Sequence, residues 1–269
     1  MIKTLVQIYE VQNSAEAEAL IAIGVDHIGS VLLSQNSWKV ESIRNTVQTI
    51  QRAGAKSGLI PLFGDAPTIF QALDYYGPDF VHFCEAISIF PENKATTLRE
   101  IDALIALQAE LKNRFPQIKI LRSLSVPQAG AAREREVLNN ILSFTQLLAP
   151  VSDYFLIDTI ISNQGVVHDQ PVAGYVGITG EVCDWNMAGE IIKQSPIPVI
   201  LAGGLSDENV FDAIVILQPA GVDSCTQTNA VDKEGRPVRF QKDLKKVKRM
   251  VEEARRADAA LAGALKKVT

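Results

Sequence analysis

Short apolar runs alternate with longer amphipathic stretches from one end of the chain to the other. The runs are TLVQIYE (4–10), HIGSVLL (27–33), KSGLIPLF (56–63), FVHFCE (80–85), KILRSLSV (119–126), YFLIDT (154–159), PVILAGG (198–204) and VDSCTQT (222–228). Each is rich in Val, Ile, Leu or Phe, the pattern of strands covered on both faces. The stretches between them carry apolar residues at helical spacing. SAEAEALIAIG (14–24) has Ser14 at the cap position and Gly24 at its end; further helices are predicted over 40–54, 66–77, 98–115, 135–148, 184–194, 207–217 and 240–256. Strict alternation of strands and helices predicts an α/β fold, the (β/α)8 TIM barrel, whose usual size is about 250 residues. An open doubly wound sheet would carry a glycine-rich fingerprint after its first strand. EVQNSAE stands there instead.

Composition supports this reading. Of 269 residues, 47% are apolar and 21% charged, which excludes a disordered chain and a small disulfide-stapled scaffold. No linker is visible, so the chain reads as a single domain over 1–269, with 257–269 a frayed helical extension suited to a surface or homodimer contact. Twenty-six Lys and Arg against 31 Asp and Glu leave a net charge of −5. That argues against nucleic acid or an anionic membrane as partner, while leaving room for one local anion pocket. Cys84, Cys183 and Cys225 are odd in number and lack CxxC spacing, as expected of reduced thiols in a cytoplasmic protein. No signal peptide and no run of about 18 apolar residues is found, so no membrane span is expected.

In a (β/α)8 barrel the chemistry gathers at the carboxyl ends of the strands. Asp158 closes the apolar run YFLID and is a candidate general acid; a loop-capping or lysine-paired role is its structural alternative. Alternation puts His82 and Cys84 on one face of strand four, Val81 and Phe83 on the other, so the polar pair is expected inside the barrel. Two side chains make half a metal site at most, so neither a metal nor another cofactor is expected. Gly203 and Gly204 end strand seven, where backbone N–H groups commonly bind phosphate; Thr226, and Gly180 within GITG, are expected to join them, with Arg122 at the same anion-friendly mouth. His168 lies in the long loop after strand six, as a lid residue or simply solvated.

Three segments together are more specific than any one residue: GVDHIGSVL (24–32), FLIDT…GITGEVCDW (155–185) and LAGGLSDENVFDAI (201–214) followed by GVDSCTQT. In this order they resemble phosphoribosylanthranilate isomerase of tryptophan biosynthesis, most strongly over 154–245. The resemblance implies the barrel, a phosphorylated small-molecule substrate and an aldose-to-ketose rearrangement. That reaction needs an acid at the ring oxygen and a base at C2. The family's acid, an Asp ending strand six, falls on Asp158. Its base, a Cys in a KICGIT-like motif ending strand one, falls on Tyr9, a phenol that is mostly protonated at neutral pH. The family's carboxylate-binding Arg after strand two falls on Trp38, and Gln227 replaces the glycine of the SSGVE-type loop after strand eight.

The resulting expectation is a divergent isomerase-like barrel that binds a phosphorylated sugar-type metabolite. Asp158 is the acid, and Tyr9, His82 or Cys84 supplies the second proton-transfer group. A true phosphoribosylanthranilate isomerase with its base relocated to Cys84 or His82 is one alternative. A non-catalytic metabolite-binding or regulatory barrel is the other.

Overall fold

A computed structural model of the chain describes residues 3–90, 94–131, 133–163, 166–167 and 172–265. Strands and helices alternate in the order β1 (Leu5–Ile8), α1 (Ser14–Ile23), β2 (His27–Leu32), α2 (Glu41–Arg52), β3 (Lys56–Pro61), α3 (Ala66–Tyr76), β4 (Phe80–Phe83), α4 (Lys94–Arg114), β5 (Lys119–Pro127), α5 (Glu134–Leu148), β6 (Tyr154–Ile160), α6 (Trp185–Gln194), β7 (Val199–Leu201), α7 (Val210–Leu217), β8 (Gly221–Ser224) and α8 (Leu244–Leu265). Among the described residues, these eight parallel strands close into one barrel, with β8 returning to β1 in the register Leu5↔Gly221 to Ile8↔Ser224. The predicted (β/α)8 architecture is the fold of the protein.

Register fixes which side chains face inward. Gln7, His82, Ser123, Asp158 and Asp223 point into the barrel, while Ile8, Val81, Phe83, Ile120 and Ile157 pack outward beneath the helices. Both faces are buried, which is why the strands read as nearly continuous apolar runs.

Several boundaries differ from the sequence reading, each for a local reason. Asn13 rather than Ser14 caps α1, its side chain accepting the N–H of Glu16 at 2.9 Å. β1 stops at Ile8 because Glu10 takes a left-handed conformation, φ +65°. Residues 240–242 belong to a hairpin of Asn229–Val231 with Pro237–Lys242, so the last helix starts only at Leu244. It then continues to Leu265 without a break: Ala257 is fully buried and Asp258 binds Thr4, so 257–265 form part of α8 and not a frayed tail. Among the described residues no helix is long and apolar enough to cross a membrane.

Candidate active site

At the carboxyl ends of the strands lie two adjoining clefts that share Asp158, Ile178, Asp223 and Cys225. The larger spans about 520 Å³ including its open mouth, and Tyr9, Glu10, His82, Cys84 and Tyr175 also line it. The smaller, about 280 Å³, is built from Thr179, Gly180, Gly203, Gly204, Ser224, Thr226 and Gln227. The structure thus gathers most of the residues singled out from the sequence: Tyr9, His82, Cys84 and Asp158 in one cleft, Gly180, Gly203, Gly204 and Thr226 in the other.

Two of those residues lie elsewhere. Arg122 pairs in register with Phe83, on the outward face of β5, not at the mouth. Its fully buried guanidinium is committed to Glu85 at 2.8 Å and Gln108 at 3.0 Å, with the Phe83 ring 5.4 Å away. A buried cation needs such partners, and they hold it away from any ligand. Alternation along RSLS contained this answer, because an inward Ser123 sends Arg122 outward. Trp38 packs edge-on against Tyr75 and Tyr76 in the outer layer, with Lys39 over its ring, and lines neither cleft. Asp65, after β3, caps α3 by accepting the N–H of Thr68 at 3.0 Å. His168 lies outside the described residues.

Burial sorts the titratable groups of the larger cleft. It raises the Cys84 and Cys225 thiols and the Tyr9 phenol well above their usual ranges, so all three stay protonated. His82 is pushed down to about 3, first by burial and then by the charge of Arg122; its Nε2 meets Ser123 Oγ at 2.7 Å. A neutral imidazole that resists protonation this strongly is a poor base at neutral pH.

The carboxylates behave differently. Burial lifts Asp158 to about 7, although its Oδ1 accepts the N–H of Thr159 at 2.8 Å. Gly177, at φ +106°, covers this carboxyl so closely that a side chain there would collide with it. Burial lifts Asp223 to about 8; the Asp158 charge adds to this, while a hydrogen bond from Gln7 Nε2 (3.0 Å) and the charge of Lys242 oppose it. Burial thus raises both carboxyls toward neutrality. Asp223, one residue before the end of β8, is absent from the sequence expectations. The inward position of a carboxylate in VDS was the available signal.

The smaller cleft is walled by closely packed, glycine-containing loops. Gly204 has φ +60°, and a Cβ there would come within 2.7 Å of the Glu181 carbonyl carbon and 2.8 Å of the Val182 nitrogen. Only glycine lets the two loops approach this closely. Gln227 Nε2 donates to the Gly180 carbonyl at 2.8 Å, tying the loop after β8 to the loop after β6. Thr226 Oγ1 is buried without a hydrogen-bond partner, and so are Tyr9 Oη, Glu10 Oε2 and His82 Nδ1 of the larger cleft. Unpaired buried polar atoms cost about 1–3 kcal/mol each, and others lie outside the clefts, on Glu16, Arg122, Trp185 and Asn229. Among the described residues no three His, Cys, Asp or Glu side chains form a group able to hold a metal ion.

Comparison with known proteins points in one direction. The model of the N-(5'-phosphoribosyl)anthranilate isomerase family matches residues 124–253. N-(5'-phosphoribosyl)anthranilate isomerase 1 of Methanosarcina mazei is 31% identical over 185 residues, spanning 64% of this chain and 72% of the relative. The enzyme of the same name from Methanothrix thermoacetophila is 27% identical over 250 residues, 91% of this chain and 98% of the relative. The solved isomerase of Pyrococcus furiosus superposes with a TM-score of 0.63 at 22% identity, covering 94% of this chain and 99% of that one.

Proposed function

This chain belongs to the phosphoribosylanthranilate isomerase family, and from that premise we propose that it catalyses the family's own reaction, the rearrangement of N-(5'-phosphoribosyl)anthranilate from aminoaldose to aminoketose. The observation that carries this reading is the pair of buried carboxyls, Asp158 and Asp223, with midpoints of about 7 and about 8 on the wall of one cleft. Carboxyls raised this far can each give or take a proton at neutral pH; the family resemblance marks Asp158 as the acid, which leaves the base to Asp223. The base is relocated, but to β8 rather than to Cys84 or His82 on β4. This moves the reading from a divergent isomerase-like protein to the true isomerase.

Asp158, the residue the family resemblance marks, protonates the furanose ring oxygen. The C1–O bond breaks as the nitrogen lone pair forms C1=N. Asp223, in the field of Lys242 and hydrogen-bonded by Gln7, takes the proton from C2. The C–H electrons form C1=C2 and the C1=N pair returns to nitrogen, leaving an enol that becomes the C2 ketone as C1 gains a proton and the enol hydroxyl loses one. No atom is gained or lost: the protons delivered to the ring oxygen and to C1 balance those removed from C2 and from the enol hydroxyl, and both carboxyls return to their starting states. The phosphate is assigned to Gly203, Gly204, Gly180 and the Thr226 hydroxyl, with backbone N–H groups as donors.

The test is turnover of N-(5'-phosphoribosyl)anthranilate by the purified protein, followed by NMR, and rescue of a tryptophan auxotroph lacking this isomerase. Asp158→Asn and Asp223→Asn are each expected to lower kcat by about 10²–10⁴-fold, while Cys84→Ser retains activity. A folded wild-type protein that neither turns over the substrate nor rescues growth would sink the reading.

A further inference from the structure

A row of polar side chains runs from Asp223 to the opposite end of the barrel. Gln7 on β1 is paired in register with Asp223 on β8 and with His27 on β2, so the three side chains point inward next to one another. Gln7 is fully buried; its Nε2 donates to Asp223 Oδ1 at 3.0 Å, and its Oε1 lies 3.1 Å from His27 Nδ1. Because barrel strands are tilted, a row along the register descends the interior. Asp223 accordingly lines the upper clefts, whereas Gln7 and His27 line a lower cavity of about 730 Å³, together with Lys56, Phe80, Lys119 and Tyr154.

A primary amide between two such neighbours has one orientation that satisfies both. With its N–H directed at a carboxylate, Oε1 requires a donor, and His27 is a donor there only with its proton on Nδ1. The flipped amide would set Oε1 against a charged carboxylate, two acceptors facing each other, unless Asp223 took up the proton. The imidazole thereby decides which end of the amide Asp223 meets.

We propose that Gln7 and His27 are positioning residues for Asp223: His27 orients Gln7, and the Gln7 N–H directed at Asp223 favours the ionised carboxylate that acts as base. This rests on the acid and base roles given above. The other titratable and charged groups acting on Asp223 are Tyr9 after β1, Asp158 from β6, Cys225 after β8 and Lys242 from the hairpin. Those acting on His27 are Asp26 ahead of β2, Lys56 on β3 and Asp79 ahead of β4, and the Phe80 ring packs 5.1 Å from the imidazole.

The experiment is carbon-13 NMR titration of the Asp158 and Asp223 carboxyls in the full-length wild type, in Gln7→Met and in His27→Phe. Methionine keeps the shape of Gln7 without its donor, and phenylalanine keeps the ring against Phe80 without its nitrogens. In Gln7→Met the Asp223 midpoint is expected to rise by about one pH unit while that of Asp158 falls, with a smaller movement in the same sense for His27→Phe. A role in packing alone would lower thermal stability and leave both midpoints in place; unmoved midpoints in the folded variants overturn the inference. The titration reads the carboxyls directly. A protein that shows the opposed movement yet fails to isomerise the substrate would overturn the reaction and leave this inference standing.

Discussion

Thr226 buries a hydroxyl with no partner beside the glycines that follow β7, an arrangement that costs stability unless a ligand completes it. Thr226→Val removes the hydroxyl and keeps the shape. Its expected outcome is a KM for the phosphorylated substrate raised about tenfold, with kcat little changed and the melting temperature equal or slightly higher. Steady-state kinetics and a thermal melt check both halves; an unchanged KM would remove Thr226 from the site. At this scale the sequence was legible where a residue's role follows from its place on a strand. Asp158 and the Gly203–Gly204 pair were found because they end their runs. Charge alone does not place Arg122, because alternation along β5 turns it outward, and the inward face that Asp223 shares with Gln7 exists only once β8 closes onto β1.

Between elements, the last turns of α8 clamp the strand that closes the barrel. Asp258 accepts the N–H and the hydroxyl of Thr4 at 3.2 and 2.6 Å, and Arg255 donates to the Thr4 carbonyl at 2.6 Å while pairing with Asp26 at 2.8 Å. β1 begins one residue later and carries Gln7. Asp258→Ala leaves the Thr4 groups unmatched and is expected to cost about 1–3 kcal/mol, a fall of roughly 2–12 °C in Tm by circular dichroism. An unchanged Tm would show that the clamp contributes nothing. The helix itself was readable from its periodicity. Its start was not, because FQK fits a helical pattern as well as a strand, and the hairpin is held by distant groups: Arg239 Nε donates to Glu10 at 2.7 Å, and the N–H of Lys242 to Glu16 at 2.7 Å. Local propensity contains no record of partners more than two hundred residues away.

For the molecule as a whole, four buried groups set opposing trends of stability with pH. His27 and His82 fold neutral, held at about 4 and about 3 chiefly by burial. Unfolded, they take up protons below about 6.5, so each lowers stability as pH falls from there, by up to about 1.4 kcal/mol per pH unit. Asp158 and Asp223 have the opposite sign, since their folded midpoints of about 7 and about 8 exceed the unfolded carboxylate value. Their contribution is complete below about pH 4 and is lost as pH rises through those midpoints. Asp26 and Asp79, lowered by hydrogen bonds and by nearby cations despite burial, titrate below this window. Denaturant midpoints are therefore expected to stay nearly level from about pH 4.5 to 6.5 and to fall from 6.5 to 8. The double variant Asp158→Asn, Asp223→Asn should rise over the first interval and lose the fall over the second. A wild-type midpoint that climbs between pH 6.5 and 8 would contradict this balance. The sequence by itself determined the barrel, because covering both faces of every strand demands apolar runs alternating with amphipathic helices, and that demand is local. Only the tertiary structure decided the chemistry. Which side chains face inward together, how deeply each is buried and which donors reach it depend on closure of β8 onto β1, and these conditions raise two carboxyls toward neutrality while keeping the nearby thiols and phenol protonated.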